Sequence, residues 1–282
     1  MGFDYVKYKP GHEAWVDYIK GRIKKNKNFI GFISGETGSG KSWTCLSMAE
    51  KLDPSFSLER IVFTPGQFFK LINGGTLKKG YVIVWEEVGV NLSNRDWQSS
   101  VNKAINQVIQ TFRHRNFILL MNAPYMDFVD AATRKLFHAE FETVGIVKKK
   151  VVLKGRIIQY NSKLKKFYYK DLRVVRPQEG VVRLQRWGVI KPSSELIKAY
   201  EAKKLEYTMA LNKKLGAELE KLENPQTKKQ LNAVPDEELE EWKRMRASKK
   251  TILDIASKFK RHPDFVSKKL AYLKRVEEEH GI

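Results

Sequence analysis

One cysteine, Cys45, stands in a chain of 282 residues. A disulfide framework within the chain is therefore excluded, and a reducing environment fits. Long apolar runs are also missing. The longest, around Phe117–Ala123, is far too short to cross a bilayer. The start, Met1-Gly2-Phe3-Asp4-Tyr5-Val6, has neither the basic-then-apolar pattern of a signal peptide nor the Ser/Thr of a myristoylation signal. These absences predict a soluble, cytoplasmic protein with no membrane segment. The histidines are few, and His12, His114, His138, His262 and His280 show no metal-ligand spacing. Acids are scarce as well: 32 Asp and Glu face 53 Lys and Arg, a net charge of +21. Such an excess predicts a polyanionic partner, with nucleic acid before an anionic membrane. A surface kept basic for solubility is the plainer alternative, and the clustering of the charge weighs against it.

Hydrophobic residues make up 42% of the chain, enough for a real core, and the length allows one large domain or two. The chain is organised around Gly35-Glu36-Thr37-Gly38-Ser39-Gly40-Lys41-Ser42. This is the G-x-x-x-x-G-K-[ST] pattern. Its glycines let backbone N–H groups turn in around phosphates. Lys41 can reach the β- and γ-phosphates, and the Ser42 hydroxyl can ligate Mg²⁺. The flanks agree. Asn28–Ser34 reads as a strand, and Trp43–Leu52 reads as a helix whose N-terminus favours anions. Residues 35–43 are thus the expected nucleotide contacts.

Residues His12–Lys25 read as an amphipathic helix with Trp15, Val16, Ile19 and Ile23 on one side. A strand is expected at Arg60–Phe63, then a helix from Thr64-Pro65 to Gly74-Gly75. Tyr81-Val82-Ile83-Val84-Trp85 followed by Glu86-Glu87 is an apolar run ending in two carboxylates, as in a buried parallel strand of Walker B type. Glu86 is the expected Mg²⁺-shell acid and Glu87 the residue that positions or deprotonates water. The first acid is usually Asp, and Glu86 has a longer arm. Asn91–Asp96 reads as a loop, Trp97–Phe112 as a helix and Phe117–Met121 as a strand ending at Asn122. If that strand lies between the other two, Asn122 falls at the sensor position of the ASCE (additional strand, catalytic glutamate) class. Asp127–Leu136 reads as a helix carrying Arg134.

The order of the P-loop, Val82–Glu87, Phe112-Arg113-His114-Arg115-Asn116, Asn122-Ala123-Pro124 and Ala132-Thr133-Arg134-Lys135-Leu136 resembles the HerA/FtsK-like and zonula-occludens-toxin-like ATPases over roughly residues 28–146. That resemblance implies an α/β fold with a parallel sheet flanked by helices, ATP with Mg²⁺, and oligomeric, hexamer-like rings that move or remodel DNA. It also implies an arginine finger from a neighbouring subunit, with Arg134 the first candidate, then Arg115, then Arg113.

Beyond residue 146 the character changes. Val144–Val147 and Val151–Tyr160 read as strands, and Phe167–Tyr169 and Leu172–Val175, interrupted at Lys170-Asp171, read as the partner in a basic hairpin, residues 147–191 in all. It carries Lys148, Lys149, Lys150, Lys154, Arg156, Lys163, Lys165 and Lys166, interleaved with Tyr160, Tyr168 and Tyr169. Charges that bind phosphate and rings that stack on bases suit a nucleic-acid surface. A solvated hairpin whose tyrosines close the core is the other reading. Residues 192–223 read as a long helix with an interrupted apolar face, and 224–235 as a linker. Residues 236–282 read as three helices that resemble a helix-turn-helix module. Its third helix would present Ser267, Lys268, Lys269, Tyr272 and Lys274 to the major groove of double-stranded DNA. The sequence thus leaves three readings: a DNA motor, an ATP-switched DNA-binding regulator, and a membrane-associated assembly ATPase.

Overall fold

The computed structural model describes residues 5–7, 11–88, 115–129, 131–176, 179–223 and 234–280. The loop expected at 91–96, the helix expected at 97–112, Arg113 and most of the expected linker lie outside the described residues. Two compact units are present, Met1–Thr208 and Met209–Ile282.

The first unit is built on a mixed sheet of ten strands among the described residues. In chain order they are β1 (Tyr5–Lys7), β2 (Phe29–Ser34), β3 (Ile61–Val62), β4 (Val82–Trp85), β5 (Ile118–Asn122), β6 (Ala139–Val147), β7 (Lys150–Asn161), β8 (Lys166–Arg176), β9 (Gly180–Leu184) and β10 (Arg186–Ile190). The main path runs β1-β8-β7-β6-β2-β5-β4-β3, with β9 on β8 and β10 on β7. From β6 to β3 all neighbours are parallel; β6-β7-β8 are antiparallel. The parallel strands are apolar on both sides because both faces are covered. On one face, Phe29, Ile33, Val84 and Leu120 pack against helix α1 (Gly11–Lys24) and helix α2 (Lys41–Leu52). On the other, Ile30, Phe32, Trp85 and Met121 pack against helix α3 (Pro65–Asn73), which Thr64 and Gln67 cap reciprocally.

Three local expectations need correction. The segment expected as one helix over 127–136 is a single 3₁₀ turn at Met126–Phe128 and a short helix α4 (Ala131–Arg134), because Val129 between them takes an extended backbone. The hairpin's second strand runs unbroken from Lys166 to Arg176 through the polar Lys170-Asp171. Strands β9 and β10, and Ala139–Thr143 at the start of β6, were not foreseen as strands; each is held by pairing with β8, β7 or β2. Residues 147–190 consequently belong to the sheet that carries the P-loop strand.

The long helix, α5 (Ser194–Glu223), begins in the first unit. Its Ile197 and Tyr200 are buried, whereas Leu205, Met209, Leu215 and Leu219, expected as a packing face, are exposed. The second unit holds α6 (Asp236–Ala247), α7 (Ile252–Lys258) and α8 (Pro263–His280). They close on a small core of Trp242, Ile255, Ala256 and Val266. Thr251 and Asp254 cap α7 reciprocally. No helix among the described residues is long and apolar enough to cross a membrane.

His12 sits in the α1 face against the Trp187 ring, 6.0 Å between centroids. Burial, and then the charge of Lys51, push its pKa from 6.5 down to about 4. The unfolded chain therefore binds the proton that the folded chain refuses, and stability should fall as pH drops from 6.5 toward 4. Over that window the loss is expected to reach about 3 kcal/mol. Urea melts across pH 4–8 of the wild type and of His12→Gln test this, since the variant should lose the slope.

Candidate functional site

The site lies at the carboxyl ends of the parallel strands. The Gly35–Ser42 loop leaves β2 and enters α2, and glycines are required at two of its points. Gly35 has φ +141°, and a Cβ there would collide with Thr143 Oγ1. Gly40 has φ +96°, and a Cβ would lie 2.6 Å from Val151. The loop is braced from β6: Thr143 Oγ1 donates to Ser34 O (2.9 Å) and lies 2.6 Å from Ser39 Oγ. Lys41 Nζ reaches back to the carbonyls of Gly35 (2.9 Å) and Glu36 (2.8 Å). Burial lowers its pKa, opposed by the charges of Glu87 and Glu86.

Strand β5 lies between β2 and β4, so Asn122 comes beside the two carboxylates. Glu86 is fully buried. It accepts hydrogen bonds from Ser42 Oγ (2.7 Å), Asn122 Nδ2 (2.7 Å) and Tyr200 Oη (2.8 Å). Burial raises its pKa, and the Ser42 and Tyr200 hydroxyls, Lys204 and Asn122 pull the other way. Glu87 follows with a left-handed backbone, φ 52°. A non-glycine residue held there costs about 1–3 kcal/mol. The Glu87 N–H donates to Asn122 Oδ1 (2.9 Å), and Val88 N–H donates to the Asn122 carbonyl (2.9 Å). Asn122 thus joins both acids with the two ends of one amide. Its Nδ2 also lies 3.5 Å from the sulfur of buried Cys45, whose thiol burial holds in the neutral form.

A cleft of about 450 Å³ opens over these groups, lined by Thr37, Gly38, Gly40, Lys41, Ser42, Trp43, Glu87, Asn122, Pro124, Ile146, Tyr200 and Lys204. The last two were not foreseen. Tyr200 and Lys204 come from α5, more than a hundred residues beyond the acids they touch. Burial, and then Glu86, push the Tyr200 hydroxyl far up, so it acts as a donor. Lys204 Nζ pairs with Glu87 Oε1 at 2.5 Å. A sequence signal existed. Ile197, Tyr200 and Lys204 fall at i, i+3 and i+7, one side of an otherwise charged helix.

This strand order and loop geometry are those of the P-loop NTPases. The fold is a P-loop NTPase fold. No family model matches the sequence, and no curated protein matches it. Among solved structures, the N-terminal domain of zonular occludens toxin from Neisseria meningitidis is similar at 14% identity and TM-score 0.33, over 52% of this chain and 95% of that one. A DNA polymerase III gamma subunit-related protein from Thermotoga maritima is similar at 9% identity and TM-score 0.37, over 47% and 46%. The P-loop NTPase domain of an E. coli sigma-54 transport activator is similar at 15% identity and TM-score 0.26, over 44% and 92%.

The residues present fit a nucleoside triphosphate with Mg²⁺. Ser42 and Glu86 offer hard oxygens. Among the described residues no group of three or more His, Cys, Asp or Glu could hold a metal. An ion here would take its other ligands from phosphate and water, as Mg²⁺ does. The longer arm of Glu86 is accommodated, since its carboxylate already meets Ser42.

The two described arginine candidates, Arg115 and Arg134, stand apart from the cleft. Arg115 precedes β5, at the opposite end of the strands, and donates to Ile72 O (2.9 Å). Arg134 pairs with Asp127 at 2.6 Å. Of the basic hairpin, Lys148, Lys149, Lys150, Lys163, Lys165 and Lys166 are exposed. Lys154 and Arg156 both face Glu142 (3.4 and 3.6 Å). Tyr168 and Tyr169 are exposed, while Tyr160 leans on Phe167. In α8, Ser267, Lys268 and Tyr272 are exposed and Lys269 is half-buried. The side chain of Lys274 lies outside the described set.

Removing one donor from a buried carboxylate is costly. Tyr200→Phe should raise the Mg²⁺ concentration needed for half-maximal nucleotide binding by about tenfold, the worth of one hydrogen bond to a charged group. A Mg²⁺ titration monitored by a fluorescent nucleotide tests it; an unchanged midpoint would remove Tyr200 from the metal site.

Proposed function

We propose that this chain is an ATP-hydrolysing, DNA-binding ATPase that works as an oligomer, moving or remodelling DNA. The buried Glu86, joined to Ser42 and aligned beside Glu87, carries the ATPase reading. Lys41 would stabilise charge on the transferred phosphoryl group, Ser42 and Glu86 would hold Mg²⁺, and Glu87 would orient the attacking water. The loop's N–H groups and the start of α2 would hold the phosphates. Asn122 fixes the two acids and could report the γ-phosphate through them. No arginine lines the cleft among the described residues. Arg134, or less favourably Arg115, would serve only from a neighbouring subunit, which is the reason to expect an oligomer.

The DNA reading rests on the +21 charge and on where it is displayed. Exposed Lys148, Lys149 and Lys150 lie at the β6-β7 turn. Exposed Lys163, Lys165 and Lys166 lie at the tip of the β7-β8 hairpin, with exposed Tyr168 and Tyr169 beside them. The three-helix unit would add contacts through Ser267, Lys268, Lys269 and Tyr272. One observation favours a second reading, an ATP-switched DNA-binding regulator with slow turnover. Glu87, the acid assigned to water, is engaged by Lys204.

Steady-state ATPase rates with and without duplex and single-stranded DNA, at two salt concentrations, separate these readings. Stimulation that disappears at high salt supports the motor, and tight binding without stimulation supports the regulator. Glu87→Gln should bind ATP but stall hydrolysis, whereas Lys41→Ala should lose both; normal turnover in Glu87→Gln would sink the catalytic assignment. Replacing Lys163, Lys165 and Lys166 by Glu should weaken DNA binding for all sequences. It should also lower the salt slope by about one for each phosphate no longer neutralised. An unchanged slope would remove the hairpin from the DNA surface.

A further inference from the structure

Helix α5 is fastened to the nucleotide site by its first turns. Just before it, the Ser193 N–H and hydroxyl donate to the Glu50 carboxylate. Tyr200 reaches Glu86, as described. Lys203 Nζ caps the carbonyls of Leu58 (2.5 Å) and Ile61 (2.7 Å). The Tyr207 ring stacks on Phe63 at 4.6 Å. These contacts bracket Lys204 on both sides and fix where its backbone stands. Its own side chain is different. Lys204 is about one-third exposed, its carboxylate partner slightly more, and both line the cleft. Across the same space stands Lys41, and the two ammonium groups repel: Lys204 acts to lower the Lys41 pKa. Two cations therefore line one cavity with Glu87, which pairs with Lys204 and acts electrostatically on Lys41.

We propose that Lys204 is a γ-phosphate ligand supplied by the same chain, and that its pair with Glu87 is the form it takes when no γ-phosphate is bound. The proposal rests on the nucleotide reading of the cleft. Lysine is a compact point charge on a flexible four-carbon stem with three rotatable donors, so it can exchange partners without movement of the helix. A partly exposed carboxylate holds it only modestly. A terminal phosphate carries more charge and is already drawn to the cleft by Lys41. When Lys204 turns to it, Glu87 is released to take a water. One side chain thereby distinguishes ATP from ADP and frees the water-positioning acid in the same exchange. Nucleoside diphosphate leaves the Lys204–Glu87 pair intact.

Calorimetric titrations of wild type, Lys204→Ala and Lys204→Arg with ADP and with the non-hydrolysable analogue AMP-PNP, both with Mg²⁺, test this. Lys204→Ala should bind AMP-PNP about tenfold or more weakly, the worth of a charged hydrogen bond, while its ADP affinity moves less than about twofold. Lys204→Arg should recover most of the AMP-PNP affinity. Equal weakening toward both nucleotides would mean that Lys204 only shapes the cleft, and overturns the proposal. An unchanged AMP-PNP preference does the same, including when turnover rises because Glu87 has merely shed a brake. Wild-type protein that binds neither nucleotide would overturn the nucleotide reading itself. Wild-type binding of both, with no effect at Lys204, overturns this inference alone.

Discussion

A carboxylate with no exposed surface, that of Glu86, is the constraint on which the site depends. A buried anion is tolerated only when donors replace its lost water. Here the donors come from three places: Ser42 at the head of α2, Asn122 at the tip of β5 and Tyr200 on α5. Each donor fixes its own element against β4. The phosphate loop, the central strand and the long helix are therefore positioned by one charge. Burial pushes that charge toward protonation, and the three donors with nearby Lys204 oppose it.

The strain sits next door. Glu87 occupies a backbone region that a non-glycine residue avoids, and it is held there by the side chain and main chain of Asn122. The strained turn sends the second carboxylate into the open cleft while the first stays buried. Two identical adjacent residues thus acquire opposite surroundings. One is buried and accepts three hydrogen bonds; the other is partly exposed in the cleft and paired with Lys204.

Much of this was legible in the sequence because local pattern and chemistry agreed. Gly35–Ser42, the apolar run at 82–85 and the paired acids each require particular residue types at short range. The placement of Asn122 could be stated only as a condition on strand order, and the β2-β5-β4 order meets it. For Tyr200 and Lys204 the sequence held only the i, i+3, i+7 spacing with Ile197; their partners lie more than a hundred residues away, which no local pattern names. Much of the helix's apolar stripe faces solvent, while Tyr200, one of its members, and Lys204 meet the site. Strands β9 and β10 were missed for a related reason. They are short, and their pairing with β8 and β7 is long-range information that no window of about eleven residues contains. The arginine candidates carried no positional signal in the sequence. Of the two among the described residues, Arg115 precedes its strand and Arg134 is held by Asp127.

The dependence of Glu86 on Tyr200 also sets an order of assembly. During synthesis the N-terminal parts fold first. The loop, both acids and Asn122 are all made by residue 122, well before Tyr200. The last donor arrives much later, on the helix that leads to the C-terminal unit. A nascent chain without that helix has a phosphate loop and two acids but neither the Tyr200 donor to Glu86 nor the Lys204 partner of Glu87. Completion of the site therefore waits on α5, and a ribosome-bound fragment that ends before it holds the motifs without a finished site.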